Sequence, residues 1–70
     1  MNLTSAKTGV EYIIKDIETD DTELNSFLFS LGCYSGEPIT VISVLTHSLV
    51  VSIKDSRYSI DKQLAKAILI

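Results

Sequence analysis

Apolar and polar residues alternate along the first part of the chain, and the alternation then changes phase. In GVEYIIKDI (residues 9–17), Val10, Tyr12 and Ile14 fall on one parity and Ile17 on the other. Because side chains of a strand point alternately to its two faces, this pattern predicts a strand whose buried face switches midway. Such a switch is typical of a bulge or bend in a small closed sheet. We therefore predict one bent strand over this stretch.

A helical period replaces the alternation after residue 20. Asp20 stands three residues before Glu23, which is capping-box spacing with aspartate as the cap, and predicts that a helix begins there. Gly32 suits the position just beyond a helix, where a left-handed backbone is required. Four apolar residues at i, i+3, i+4 and i+7 predict a single stripe facing the core: Leu24, Phe27, Leu28 and Leu31.

The second half of the chain alternates as short strands. Ser35 and Gly36 predict a tight turn, and Pro38 is acceptable as the first residue of a strand. The runs ITVISVL, LVVSIK and RYSI predict a three-stranded meander, with THSL or a shorter turn between the first two strands. DKQLAKAILI predicts a turn of helix followed by a last strand, Ala67–Ile70. Five strands and one helix, inserted between strands 1 and 2, predict a mainly β fold: a small bent barrel whose first and last strands pair.

Composition supports one folded domain over residues 1–70. The chain is 46% hydrophobic with a mean hydropathy of +0.29, which excludes a disordered class of protein. No apolar run approaches the roughly 18 residues that span a bilayer, so we expect no direct membrane insertion. The first residues lack the pattern of a secretory signal, and a lone cysteine cannot form an internal disulfide. These features predict a cytoplasmic protein.

The distribution of charge argues against nucleic acid as a partner. The net charge is −3 and the six basic residues are scattered along the chain, whereas neutralising phosphates requires a concentrated basic face. A small RNA-binding barrel is disfavoured for the same reason. The acidic residues are instead clustered in DIETDDTE, which contains Asp16, Glu18, Asp20, Asp21 and Glu23.

Little in the sequence indicates catalysis or a metal site. Cys33 and His47 are the only soft or borderline ligands, and they lack a partner at metal-ligand spacing. Cys33 is better interpreted as a small buried hydrophobe and His47 as a solvated turn residue. The three glycines are dispersed, so no phosphate-binding pattern exists. We expect no enzyme activity, no cofactor and no resident metal.

Four residues are candidates for a partner-binding surface. Phe29 lies opposite the apolar stripe of the predicted helix, and Tyr34 follows at the corner after it. Val50 and Leu69 fall on the opposite parity from the core residues predicted for their strands. Each could be an ordinary exposed or rim residue, but aromatic side chains concentrate binding energy at interfaces. We expect contact with a protein partner or with a second copy of the chain.

The order of elements and the framework residues resemble the FeoA family of bacterial ferrous-iron-transport accessory proteins. The matching framework residues are Leu3, Gly9, Ile14, Ile17, Leu28, Leu31, Gly32, Gly36, Ile39, Val41, Ile60, Ala65, Ile68 and Ile70. Ser35 stands where the family usually has proline, and Phe27 where it often has arginine. The resemblance implies an SH3-like barrel of five strands with one inserted helix.

The resemblance also implies a function and a partner. A FeoA-like protein would be a cytosolic accessory or regulatory protein of ferrous iron uptake that binds the cytoplasmic, GTPase-containing region of the FeoB transporter, which would recruit it to the inner face of the membrane. The alternative is a free-standing SH3-like regulatory domain related to that of metal-dependent repressors, which would bind transition metal or a regulator protein. Homo-oligomerisation stays open under either interpretation.

Overall fold

The first predicted strand is divided between two sheets. The computed structural model describes residues 1–70 and contains strand β1 at Glu11–Ile13 and strand β2 at Asp16–Ile17. Between them, the backbone of Ile14 exchanges hydrogen bonds with Gly36 and Glu37, whereas the Lys15 N–H donates to Leu69 O at 2.7 Å. The change of face predicted from the sequence is therefore a change of sheet, and two short strands replace the single bent strand.

Antiparallel pairs form the remainder of both sheets. Strand β3 is Pro38–Val44, β4 is Ser48–Ile53, β5 is Ser56–Asp61 and β6 is Ile68–Leu69. The larger sheet has the order β1-β3-β4-β5, and the smaller one pairs β2 with β6. The predicted pairing of the first and last strands is confirmed in β2 and β6. The predicted five-stranded barrel is confirmed only in part: the fold is mainly β, but six strands form two sheets that do not close, because the break at residues 14–15 separates the partners of β1 from those of β2.

Two α-helices are present where one was predicted. Helix α1 is Thr22–Ser30 and lies between β2 and β3, while helix α2 is Lys62–Ala67. The Asp61 carboxylate caps α2 by accepting a hydrogen bond from the Leu64 N–H at 2.7 Å, which extends the predicted single turn to six residues. A short 3₁₀ turn at residues 3–5 packs against α2. Neither α-helix is long and apolar enough to cross a membrane.

A single cluster of apolar side chains forms the core. Both sheets and α1 contribute to it, and Leu28 is the only residue of α1 that is fully buried. The alternation predicted for β4 is confirmed, since Leu49, Val51 and Ile53 are all buried. The 13 core residues are Leu3, Ile14, Leu28, Cys33, Ile39, Val41, Leu49, Val51, Ile53, Ile60, Ala65, Ile68 and Ile70.

Helix α1 differs from its prediction at two positions. Its N-cap is Asp21, whose Oδ1 accepts hydrogen bonds from the N–H groups of Glu23 at 3.0 Å and Leu24 at 3.2 Å. Asp20 stands one residue too early, so the capping box is not formed. Phe27 is 49% exposed rather than buried, because Leu24, Leu28 and Leu31 fill the strip facing the core and Phe27 falls on the flank of the helix.

The chain reverses direction at Gly32, immediately after α1. Gly32 has a φ of +89°, and its N–H donates to Phe29 O while the Cys33 N–H donates to Leu28 O. These two bonds are the Schellman arrangement, in which a left-handed residue satisfies the last carbonyls of a helix. Gly36 has a φ of +91° in the next turn, closed by the Glu37 N–H donating to Tyr34 O. The predicted end of the helix at Gly32 and the predicted turn at Ser35 and Gly36 are therefore confirmed.

The reversal places Cys33 inside the core. Its side chain is buried, and desolvation raises the pKa of the thiol to about 11. The interpretation of Cys33 as a small buried hydrophobe is therefore confirmed.

We expect Asp21→Ala to lower the free energy of unfolding by about 1 kcal/mol, because two N–H groups at the start of α1 lose their acceptor. Asp20→Ala removes the same charge and no cap, and should change stability by less than about 0.5 kcal/mol. Urea denaturation of both variants measures the difference. A larger loss in the Asp20 variant would contradict the assignment of the cap.

We expect Gly32→Ala to destabilise the protein by more than Gly36→Ala. Both variants place a Cβ at positive φ, which costs about 1–2 kcal/mol. Only at Gly32 would the new Cβ also meet a neighbour, Lys54 Cδ at 2.9 Å, whereas Gly36 has open space around it. Urea midpoints of the two variants test this order, and equal losses would show that the Lys54 side chain moves aside freely.

Cys33 predicts a loss of stability at alkaline pH. Unfolded chains release the thiol proton from about pH 9, whereas the folded protein holds it until about pH 11. The unfolded state therefore binds fewer protons in that window, so the free energy of unfolding falls as the pH rises through it. We expect urea midpoints at pH 8 to 10.5 to fall more steeply for the wild type than for Cys33→Ala. Parallel curves would contradict the prediction.

Candidate protein-interaction site

An exposed pair of aromatic rings lies at the corner between α1 and β3. Phe29 is 64% exposed, as its position opposite the buried stripe predicted. Its ring lies against that of Tyr34, with 4.9 Å between the centroids and 32° between the planes. Such pairs stabilise a folded protein by about 0.5–1.5 kcal/mol more than the burial of their surface area alone would. The contact therefore restricts Phe29 although solvent covers most of its surface.

The turn between β4 and β5 packs against the Tyr34 ring of this pair. Lys54 Nζ lies 5.2 Å from the centroid of the Tyr34 ring and 3.5 Å from Glu37 Oε1. Hydrogen bonding to Tyr34, followed by the charge of Glu37, raises the pKa of Lys54. Methylenes of the same lysine lie over Gly32, where a Cβ would displace them. Lys54 thus joins residues that are distant in sequence into one surface.

We call Phe29, Tyr34, Lys54 and Glu37 the aromatic corner. The lysine of this group was not predicted, since no local pattern links residue 54 to residue 34. Its backbone has a φ of +49°, and that of Asp55 has a φ of +66°, which are the signs of a two-residue turn between antiparallel strands. That turn directs Lys54 towards Tyr34 without a glycine to mark it in the sequence.

A shallow depression adjoins the aromatic corner on α1. Asn25, Ser26 and Phe29 line it, and its volume is about 240 Å³. These side chains are uncharged and the depression is open to solvent, so it provides shape beside an aromatic ring. Phe27 is excluded from this surface, because residues two apart on a helix are separated by about 200°.

The four predicted surface residues are not all brought together. Phe29 and Tyr34 are in contact. Val50 is half-buried on β4, opposite Ser43 of β3 and Ser59 of β5, on the outer side of the large sheet. Leu69 is half-buried on β6 in the other sheet. The structure thus contains one aromatic corner and two separate apolar positions.

Other exposed apolar side chains were not predicted as surface residues. Val44 and Leu45, at the end of β3, are each about half exposed, and Ile13 on β1 is similar. Val44 and Leu45 lie where their apolar run extends beyond the core, whereas Ile13 lies on the opposite parity from Tyr12 and the buried Ile14. In SVL (residues 43–45), two apolar residues follow each other where a strand would otherwise alternate, and this change is the local signal of such an extension.

The candidate ligands for a metal do not converge. Cys33 is buried, His47 is exposed in the turn after β3, and all five residues of the acidic segment are exposed. No three histidine, cysteine or acidic side chains lie close enough to hold a metal ion.

The comparisons with known proteins agree with this fold. The family model described as the FeoA domain matches residues 1–70 of this chain. No curated protein sequence matches the chain. A crystal structure of the iron uptake regulatory protein FeoA superposes with a TM-score of 0.86 at 23% identity, over 97% of this chain and 91% of that one.

Two further structures have the same fold. The zinc-complexed FeoA of Stenotrophomonas maltophilia, described as a prokaryotic SH3-domain protein, has a TM-score of 0.86 at 16% identity, over 99% of this chain and 87% of that one. A manganese-dependent transcriptional repressor has a TM-score of 0.88 at 17% identity. The match covers 97% of this chain and only 39% of the repressor, so the shared part is one unit of a longer protein.

The fold is therefore the SH3-like fold of FeoA proteins, mainly β with two helices. Because the family model spans every residue of the chain, the protein belongs to the FeoA family, whose accessory and regulatory domains are linked to ferrous iron transport.

Proposed function

We propose that this protein is a cytoplasmic accessory protein of bacterial ferrous iron uptake, and that it binds the cytoplasmic, GTPase-containing region of a FeoB-type transporter. Membership of the FeoA family supports the process. The exposed aromatic corner supports binding as the mode of action, and we propose that the protein acts without enzyme activity or a cofactor. Binding to the transporter would hold the protein at the inner face of the membrane.

One observation carries the proposal: a large aromatic side chain is held in place while it faces solvent. Phe29 is 64% exposed and is restricted by its contact with Tyr34. Binding orders flexible side chains at a cost of about 0.5–1.5 kcal/mol each, and a restricted ring avoids part of that cost. Aromatic anchors of this kind are the residues on which interface energy concentrates.

Lys54 and Glu37 give the aromatic corner a polar rim. Their ammonium and carboxylate groups are paired at 3.5 Å, so the corner carries little net charge. A partner can cover it without leaving an isolated charge buried. We propose Val50 and Leu69 as outlying contacts, each to be tested by substitution with aspartate.

A protein that binds without chemistry can regulate a transporter by preferring one of its conformations. The equilibrium between two conformations shifts only as far as the difference in affinity for them. Binding to different nucleotide states of the GTPase region would measure this difference directly.

We expect the purified protein to bind the soluble cytoplasmic region of FeoB in isothermal titration calorimetry, and Phe29→Asp to weaken this binding at least 30-fold. Loss of an aromatic anchor costs about 2 kcal/mol or more, which corresponds to that factor. Phe27→Asp is the matched control, because it makes the same change on the other side of the same helix. We expect its affinity to stay within threefold of the wild type, with circular dichroism showing that both variants are folded.

Equal losses in the two variants would contradict a role for the aromatic corner. Absence of any binding by the wild type would overturn the proposed partner. A parallel anaerobic titration with ferrous iron shows whether a protein that does not bind the transporter binds metal instead. Stoichiometric uptake of iron would move the search to Cys33, His47 and the acidic segment.

The fold shared with the manganese-dependent repressor supports a second candidate, a free-standing regulatory domain that binds metal or a DNA-binding regulator. This candidate predicts affinity for manganese or iron in the absence of FeoB. The same titrations distinguish it, because the first proposal requires binding to the transporter without added metal.

A further inference from the structure

We propose that the outer edge of β5 pairs with the same edge of a second copy of this chain, forming an antiparallel dimer centred on Ser59. This inference does not depend on the proposed transporter partner. It rests on the free backbone groups of β5 and on the order of side chains along that strand.

Strand β5 ends the large sheet and has a partner on one side only. It spans Ser56–Asp61, six residues, whereas β1 at the other edge spans three. No backbone hydrogen bond made outside the helices and strands involves any of these six residues. The edge contains no proline, lysine or bulge, and the two charged side chains that it does carry, Arg57 and Asp61, have opposite signs.

The hairpin geometry identifies the backbone groups that face outwards. Ile53 and Ser56 flank the two-residue turn, so they form a hydrogen-bonded pair. Hydrogen-bonded and non-hydrogen-bonded pairs alternate along an antiparallel ladder. Arg57, Ser59 and Asp61 therefore occupy non-hydrogen-bonded pairs with β4, so their N–H groups and the C=O groups of Arg57 and Ser59 point away from it. Asp61 is the N-cap of α2, so its C=O faces the first turn of that helix.

The side chains of β5 are complementary to themselves in one register. When two copies pair about Ser59, Arg57 of each copy lies opposite Asp61 of the other, and Tyr58 lies opposite Ile60. Opposite charges are a favourable cross-strand pair, so the two ion pairs specify this register, whereas Ile60 is already buried in the core of its own chain. The same surface then serves both copies, as a two-fold interface requires.

The charged groups of this register are available for pairing. Arg57 and Asp61 are exposed, and neither forms an ion pair within the chain. One oxygen of the Asp61 carboxylate accepts the N–H of Leu64, which leaves the other oxygen free. Strand β1 offers no such match, since pairing about Tyr12 would place Glu11 opposite Ile13.

The interface is small, because a single strand edge provides most of it. Interfaces below about 1,200 Å² in total are generally weak. The dimer should therefore depend on protein concentration and on salt, since two of its pairs are ionic.

Sedimentation equilibrium from micromolar to millimolar protein tests the proposal. We expect the wild type to approach the dimer mass, and Arg57→Asp to remain monomeric because aspartates would face each other at positions 57 and 61. Ser59→Pro should also be monomeric, since proline removes the outward N–H and keeps the ladder with β4. Lys15→Asp is the matched control for the charge change, and it should dimerise as the wild type does.

A mixture of variants tests the register itself. Asp61→Arg alone would place arginines opposite each other, but a mixture of Arg57→Asp with Asp61→Arg restores both ion pairs and should form the mixed dimer. If Asp61→Arg fails to fold because α2 has lost its cap, Arg57→Asp and Ser59→Pro still test whether the β5 edge forms the dimer. A monomeric wild type at millimolar concentration would overturn the proposal. A dimer that persists in both Arg57→Asp and Ser59→Pro would also overturn it, and so would a dimer that only Phe29→Asp abolishes.

Discussion

The reversal of the chain at Gly32 is the constraint on which the rest of the structure depends. A left-handed residue at this point satisfies the last carbonyls of α1 and sends Cys33 into the core within one residue. The next residue, Tyr34, then lies against Phe29 of the helix that has just ended. Because glycine has no side chain, Lys54 can lie over the same corner. One backbone conformation thus supports the core and the aromatic corner together.

A second constraint is the small size of the chain. A domain of about 60–70 residues buries only about 60% of the surface exposed by its unfolded chain, so each element must contribute to one core. The break after Ile14 serves this purpose. Its side chain is buried, its backbone bonds to the turn before β3, and the next residue bonds to β6. Two adjacent residues therefore join the two sheets across a shared core.

The surface combines these constraints into two regions with different physical character. The aromatic corner has a restricted ring, a paired lysine and glutamate, and a shallow depression beside it. The β5 edge has open backbone groups, and its exposed outer face carries Arg57, Ser59 and Asp61. The turn containing Lys54 contacts the first region and leads directly into the second. A partner that binds at either region would therefore contact the hairpin of β4 and β5 or residues that pack against it.

The sequence by itself determined the features that depend on near neighbours in the chain. The stop at Gly32, the turn at Gly36, the alternation of β4 and the exposure of Phe29 all follow from local periodicity and backbone preference, and the structure confirms them. The framework residues also indicated the family. Local preference was insufficient where two similar candidates compete, as in the choice of Asp21 over Asp20 for the helix cap.

Only the tertiary structure decided the features that depend on distant residues. Phe27 is exposed because the other residues of its stripe already fill the contact with the core, and the first strand is divided because its halves find partners in different sheets. The contact of Lys54 with Tyr34 has the same origin. Short-range patterns record which residues can be buried or can turn, whereas packing between elements far apart in the chain decides which of them are buried and what they touch.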